Sequence, residues 1–341
     1  MPADELKPIL EEGRNCWRIA RAERATVIVD AAQYYHHIRS AMEKADRQIF
    51  IIGWDFDTRI ALDPDENGKG ESLGRFFLRL AHSKPRRRIA ILKWNFGALK
   101  QFLRPAAVVW LARWWLTRSI DFQFDSAHPV GCSHHQKIVV IDNNLAACGG
   151  IDISKCRWDT SEHGDGDPRR TSPDGKPYGP WHDATMLMQG PIAECLAELG
   201  RDRWKMATRK PLARIEPCDC DWPEGLEPGF EKVDIGISRT RAAYRGQEEI
   251  CEIETLYLDM IASAQRFIYF ENQYLTSAKI AAAIAKRMAE KDAPEIVLVM
   301  PRTADGWLEQ QAMDAARVKL IEAIGRSDRR NRFRVYVPVT K

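Results

Sequence analysis

Read along its length, this sequence repeats one pattern, β-α-β-α-β-α-β, once in each half, and few folds accommodate that. In the first half, Thr26 to Asp30 reads as a strand, Ala32 to Ala45 as a helix and Gln48 to Trp54 as a strand. A helix from Leu73 to Ala81, a strand from Ile89 to Trp94, a helix from Pro105 to Thr117 and a strand from Ile120 to Phe124 follow. The second half repeats the order, with strands at Asp234 to Ser238, Arg266 to Phe270, Glu295 to Met300 and Phe333 to Val337. Its helices are Ile250 to Ser263, Ser277 to Lys291 and Leu308 to Ile324. Strands alternating with helices in this way predict α/β layers, here two tandem units, each a mixed sheet flanked by helices. The expected boundaries are an N-terminal extension at 1–25, a first unit at 26–215, a Pro/Gly-rich linker at 216–232 and a second unit at 233–341. Setting Phe267 against Ile49 and Val335 against Phe122 makes the second unit incomplete. It would stop just before its own counterpart of residues 135–142.

Those residues form the densest chemical stretch. Ile138 to Ile141 is β-branched and apolar, a buried strand, and side chains two apart on an extended chain share a face. His135 and Lys137 therefore project together, an imidazole and an ammonium suited to a phosphate. Asp142, an odd number of positions from Lys137, belongs on the other face and is expected to fix the turn. His134 likewise points away, as a structural residue. Small residues from Ala146 to Gly150, Gly149 and Gly150 included, would let backbone approach a ligand closely.

Composition narrows the function classes. A net charge of +3 and no extended basic stripe argue against nucleic acid as a partner. The eight cysteines show neither zinc-ligand spacing nor the density of a disulfide scaffold, so reduced thiols and a cytoplasmic setting are expected. The acidic start, Met1-Pro2-Ala3-Asp4-Glu5, does not read as a signal peptide. Pro105 to Leu116, interrupted by Arg113, is too short to span a bilayer. Its tryptophans Trp110, Trp114 and Trp115, with Val108 and Leu111, suit either packing on the sheet or contact with a membrane surface. Arg104, Arg113 and Arg118 would favour anionic headgroups in the second case. The loop His163 to Pro180 is long and nearly devoid of apolar residues, which suggests function or disorder.

His135-x-Lys137-x4-Asp142 resembles the HxKxxxxD signature of the phospholipase D superfamily. Gly149-Gly150-Ile151-Asp152, Arg157-Trp158-Asp159-Thr160-x-Glu162-His163, Pro180-Trp181-His182-Asp183 and Glu271-Asn272-Gln273-Tyr274 are similar to motifs of eukaryotic-type members and their bacterial relatives. The resemblance runs from about residue 26 onward. Asp152 stands where many members carry an asparagine, and a second HxKxxxxD is absent.

The resemblance implies a phosphodiester transfer that needs no metal or other cofactor. His135 would attack phosphorus, Lys137 would neutralise phosphoryl oxygens, and a second histidine would protonate the leaving alcohol. Asp183 would bond the other ring nitrogen of His135 and set its tautomer, with Asp142 in the supporting frame. Gly149, Gly150, Asp152, His182, Glu271, Asn272 and Gln273 would contact substrate. For His163 and His182, ordinary surface-loop histidines are an equal alternative, and helix capping is one for Glu271 to Gln273. Asp305 and Trp307 could line the same cleft. The expected substrate is a phosphatidylcholine-like phospholipid at a membrane surface, hydrolysed to phosphatidic acid. Cardiolipin-type phosphatidyl transfer is a close competitor, and a nuclease or a silent binding module are more distant ones. Were the natural chain to end at Lys341, two copies would have to pair their single motifs.

Overall fold

The computed structural model describes residues 8–95, 105–302 and 307–340. Asp305 and Arg104 lie outside the described residues, as do the side chains of Val108 and Trp307. The chain divides into two units. One comprises Ile19–Ile235 with Ala242–Glu248, the other Gly236–Arg241 and Glu249–Thr340 with the N-terminal residues up to Arg18.

The first unit is built on β1 (Arg18–Val29), α1 (Ala31–Lys44), β2 (Gln48–Gly53), α2 (Leu73–Ser83), β3 (Arg88–Trp94), α3 (Pro105–Trp115) and β4 (Ile120–Asp125). Then come β5 (Ile138–Ile141), β6 (Leu145–Gly149), β7 (Ala184–Gln189), α4 (Pro191–Thr208) and β8 (Phe230–Ile237). The eight strands form one sheet in the order β4-β3-β2-β5-β6-β7-β1-β8. β2, β3 and β4 are parallel; β5 runs antiparallel to β2 and begins the hairpins through β6 to β7.

β2 shows why the sheet sits where it does. Its six residues are all buried, the continuous apolar run of a strand covered on both faces. Ile49 and Ile51 pack into the cluster with Tyr35 and Ile38 of α1 and Phe77 of α2. On the other face Phe50 meets Trp204 of α4 edge-on, with ring centroids 6.0 Å apart. Gly200 permits that approach, since a Cβ there would lie 2.5 Å from the Phe50 ring. Each fully buried side chain of this size stabilises by about 1.5–3 kcal/mol.

The aromatic segment of α3 packs on the sheet through one ring and leaves the next exposed. Trp114 is 1% exposed, packs against Phe56, Phe77 and Phe122, and donates its indole N–H to Gly74 O. Trp115 and Leu116 are 86% and 76% exposed.

Two expectations about strands are corrected. β1 begins at Arg18, eight residues earlier than read, because charged residues on its solvent side hid an edge-like alternation. β8 joins the first sheet beside β1 instead of opening the second unit's sheet.

In the second unit a short hairpin, β9 (Thr240–Arg241) with β10 (Ile250–Cys251), precedes α5 (Glu252–Ser263). β11 (Phe267–Glu271), α6 (Ala278–Met288), β12 (Glu295–Val299), α7 (Trp307–Ser327) and β13 (Phe333–Tyr336) complete it. Its three strands are parallel, in the order β11-β12-β13, the arrangement of β2-β3-β4 repeated. Ile268 and Phe270 of β11 face a core of Ile284, Met288, Ile296 and Leu298. Phe267 and Tyr269, on its other face, are 71% and 56% exposed.

Candidate active site

The site of the first unit lies at the carboxyl ends of β2, β3 and β4, where parallel α/β sheets gather ligand contacts. β5 runs the other way, so its first residue, Ile138, pairs with Ile52 near the end of β2. The extended residues just before β5 are therefore delivered to that edge. His135 and Lys137 meet there, Lys137 Nζ lying 3.2 Å from His135 Nε2. Lys137 Nζ also lies 3.0 Å from Asp152 Oδ2, and both side chains are under 10% exposed. Asp152 Oδ1 accepts the backbone N–H groups of Trp54 and Asp55 at 3.0 and 3.2 Å. Burial pushes the Lys137 ammonium down from its usual range, with Asp152 opposing it, and pushes Asp152 up, with Lys137 opposing it. An ion pair this enclosed holds only because each partner satisfies the other.

Burial, the Lys137 ammonium and the Arg157 guanidinium together lower His135 to about 4. The residue as a whole keeps solvent access. An ammonium only donates hydrogen bonds, so Nε2 accepts from Lys137 and the ring proton sits on Nδ1. The nucleophilic lone pair is thus on Nε2.

His134 and Asp142 face away from this edge. His134 is buried, bonds Gln136 Oε1 through Nε2 at 2.8 Å, and is held at about 3 by that burial and by Arg203. Asp142 accepts the N–H groups of Asp46, Arg47 and Gln48 at 2.6, 2.8 and 2.7 Å. Asp142 and Asn143 have φ of 51° and 58°, the left-handed region that Asp and Asn tolerate in tight hairpins. Asp142 therefore closes the β5–β6 turn and ties it to the start of β2.

Asp183 departs from its expected place. No hydrogen bond joins it to His135 among the described residues; its Oδ1 takes the N–H of Ala184 at 2.8 Å instead. Burial raises this carboxyl, with Ala184 N–H, Lys137 and Arg157 opposing. The two glycines also serve a different neighbour. A Cβ on Gly150 would lie 2.0 Å from Asp183 Oδ1, and one on Gly149 would lie 2.4 Å from Thr185 Cα. The close approach they permit is to β7, not to open space for a ligand. His182 Nδ1 lies 2.8 Å from Asp30 Oδ1. Glu271, Asn272 and Gln273 belong to the other unit, exposed at the end of β11. There Asn272 Oδ1 accepts the N–H of Tyr274 at 2.8 Å, and Asn272 lines a cavity of about 310 Å³ with Tyr257, Phe270 and Leu275. The helix cap nearby is Ser277, which accepts from Ile280 N.

Sequence reasoning missed the site's aromatic wall. Trp54 lies edge-on to His135 and stacks on Trp94, both at 5.5 Å between centroids, and Trp94 donates its indole N–H to His128 Nε2 at 2.8 Å. Beneath it Lys93 pairs with Asp55 at 2.8 Å. Burial opposes ionisation of Asp55, but Lys93, the Ser154 hydroxyl and Phe56 N–H bring it down to about 2. Trp54, Asp55, Lys93 and Trp94 all sit at the ends of β2 and β3, which was the available signal. A larger cavity of about 620 Å³ opens at the opposite end of the sheet, beside Asn144 and Gln189, and includes none of these residues.

A family model described as Phospholipase D matches residues 41–221, more than half of the chain. The chain is 27% identical over 208 residues to Phospholipase D B of Dictyostelium discoideum, covering 52% of this chain and 17% of that protein. It is 26% identical over 328 residues to Phospholipase D alpha 1 of Zea mays, covering 72% and 40%. The chain thus spans less than half the length of either curated relative. Among solved structures, phosphatidylserine synthase of Haemophilus influenzae Rd KW20 matches with a TM-score of 0.59 at 10% identity, over 94% of this chain and 74% of that one. Polyphosphate kinase from Porphyromonas gingivalis gives a TM-score of 0.51 at 11% identity, over 92% and 41%. Both likenesses are of fold.

Proposed function

The chain belongs to the phospholipase D family, and from that premise we propose that it cleaves a phospholipid phosphodiester through a phosphohistidine at His135. The observation that carries this reading is the triplet His135 Nε2–Lys137 Nζ–Asp152 Oδ2, at 3.2 and 3.0 Å, on the signature residues themselves. A histidine lowered to about 4 is neutral near pH 7, so the free base is the resident form. Nε2 attacks phosphorus and the bond from phosphorus to the headgroup oxygen breaks, that oxygen leaving as the alcohol with a proton taken from solvent. Lys137 faces the phosphoryl oxygens as their charge grows, and Asp152 keeps that ammonium charged despite its burial. Water then attacks phosphorus, the N–P bond breaks, and phosphatidic acid leaves with His135 restored. Asp183 would serve Nδ1–H through the carboxylate oxygen that the Ala184 N–H does not occupy. Transfer to an alcohol is the same second step with a different nucleophile.

A phospholipid substrate accords with the exposed Trp115 and Leu116 at the end of α3, beside Arg113 and Arg118. No helix among the described residues is long and apolar enough to cross a membrane. The test is to mix the protein with phosphatidylcholine labelled at phosphorus, quench within a turnover, and locate the label by mass spectrometry. Label on His135, absent in His135→Ala, is expected. Label on another residue, or undiminished headgroup release by His135→Ala, would overturn the reading.

A further inference from the structure

Beside the Asp183 backbone three side chains converge that the phosphodiester chemistry does not use. Asp30, His163 and His182 each offer a ligand atom, and these atoms lie within 4.8 Å of one another. Asp30 is 1% exposed, and its Oδ2 is buried with no hydrogen-bond partner. That oxygen faces His163 Nε2 at 3.5 Å. The other ring nitrogen of His163 lies 2.8 Å from Asp159 Oδ2. Asp159 is fully buried and held by Arg170 and by the N–H groups of Thr160 and Trp181.

A carboxylate that takes the Nδ1 proton of a histidine leaves Nε2 with its lone pair outward, which is how metal-ligating histidines are oriented. A tetrahedral ion bound at ~2.0–2.2 Å sets neighbouring ligand atoms about 3.4 Å apart, close to the separation of His163 Nε2 and Asp30 Oδ2. Two imidazoles and one carboxylate suit zinc and its neighbours in the transition series, and suit magnesium or calcium poorly.

We propose that Asp30 Oδ2, His163 Nε2 and a ring nitrogen of His182 form a binding site for a zinc-like divalent ion, with Asp159 as the outer carboxylate. The ion lies off the reaction path. It joins the junction of β1 and α1 to the interior and the carboxyl end of the long loop between β6 and β7. Asp30 N–H already donates to Asp183 O at 2.8 Å, so the ion would brace the backbone that presents Asp183. This inference is independent of the phosphohistidine reading.

The test uses the whole chain, stripped with a chelator and titrated with Zn²⁺, and separately with Co²⁺ for its absorption spectrum. One equivalent is expected to bind, the cobalt spectrum showing nitrogen and oxygen ligands without a thiolate charge-transfer band. His182→Gln alters a partly exposed ring and should fold normally. It is expected to weaken binding by more than about 100-fold, since even outer carboxylates are worth 10–100-fold. His163→Gln should do the same, while His36→Gln, remote from the cluster, should change nothing. Zinc uptake unchanged in both His182→Gln and His163→Gln, a thiolate band with cobalt, or no stoichiometric uptake by the native chain would each overturn the proposal.

Discussion

Ile49 and Phe267 occupy the same place in the repeated pattern, yet Ile49 is fully buried and Phe267 is 71% exposed. Two residues on, the contrast returns, with Ile51 at 2% and Tyr269 at 56%. β2 and β11 are each flanked by one parallel neighbour, β3 and β12. What β2 has in addition is everything that follows the nucleophile. β5 closes its open edge, and the chain continues through β6 and β7 into α4, which covers the sheet's second face. Among the described residues β11 has neither. One stretch, residues 135–208, thus supplies both the His135–Lys137 pair and the second cover of the sheet that holds it. Assembly of the candidate site and completion of the core are therefore coupled in this fold.

That comparison can be broken at several points. The largest effect is expected from Lys137→Met, which leaves the Asp152 carboxylate buried and unpaired at a cost of about 3–5 kcal/mol. A denaturant midpoint shifted by less than a third of that would mean the pair is not structural. Ile49→Ala should cost about 2–5 kcal/mol as a core truncation. Urea unfolding followed by tryptophan fluorescence reads it directly, and a loss near zero would deny that β2 is the better-enclosed strand.

Acid comes next. His134 is held at about 3, well below the ordinary value of 6.5, so the unfolded chain binds a proton that the folded chain refuses. Stability from this residue is complete above pH 6.5 and is lost as pH falls toward 3, at up to about 1.4 kcal/mol per pH unit. Unfolding midpoints at pH 7 and 5.5 should separate more for the native chain than for His134→Gln. Equal slopes would contradict the burial of that ring. The smallest effect belongs to the second unit. Phe267→Ala, at an exposed position, should cost about 0.5 kcal/mol or less. A loss above 2 kcal/mol for Phe267→Ala would show that β11 is covered in solution.

Much of the site could be read from spacing. The period of an extended chain put His135 beside Lys137, turned His134 inward and sent Asp142 to the turn. The repeat was legible because parallel strands buried on both faces, such as Gln48–Gly53, carry unbroken apolar runs. What escaped was whatever depends on distant partners. Asp30 at a strand end and Asp159 inside a motif gave no sign that the fold would set both around His163. Asp183 sits in the expected motif, but its bond goes to its own neighbour's N–H, a choice no spacing encodes. β8 reads as the start of a second unit, and only sheet order shows it beside β1.

The three N–H groups gathered by Asp142 have a consequence for how this protein is made. They come from residues 94 to 96 positions earlier in the chain, so the turn behind the nucleophile closes only across that separation. Contacts of such range are formed late and slowly, because the entropy of closing the loop is lost before the bonds repay it. During synthesis, β2 must wait for β5 to emerge. Until then its apolar edge is open, and the nascent chain is most prone to mispairing in that interval.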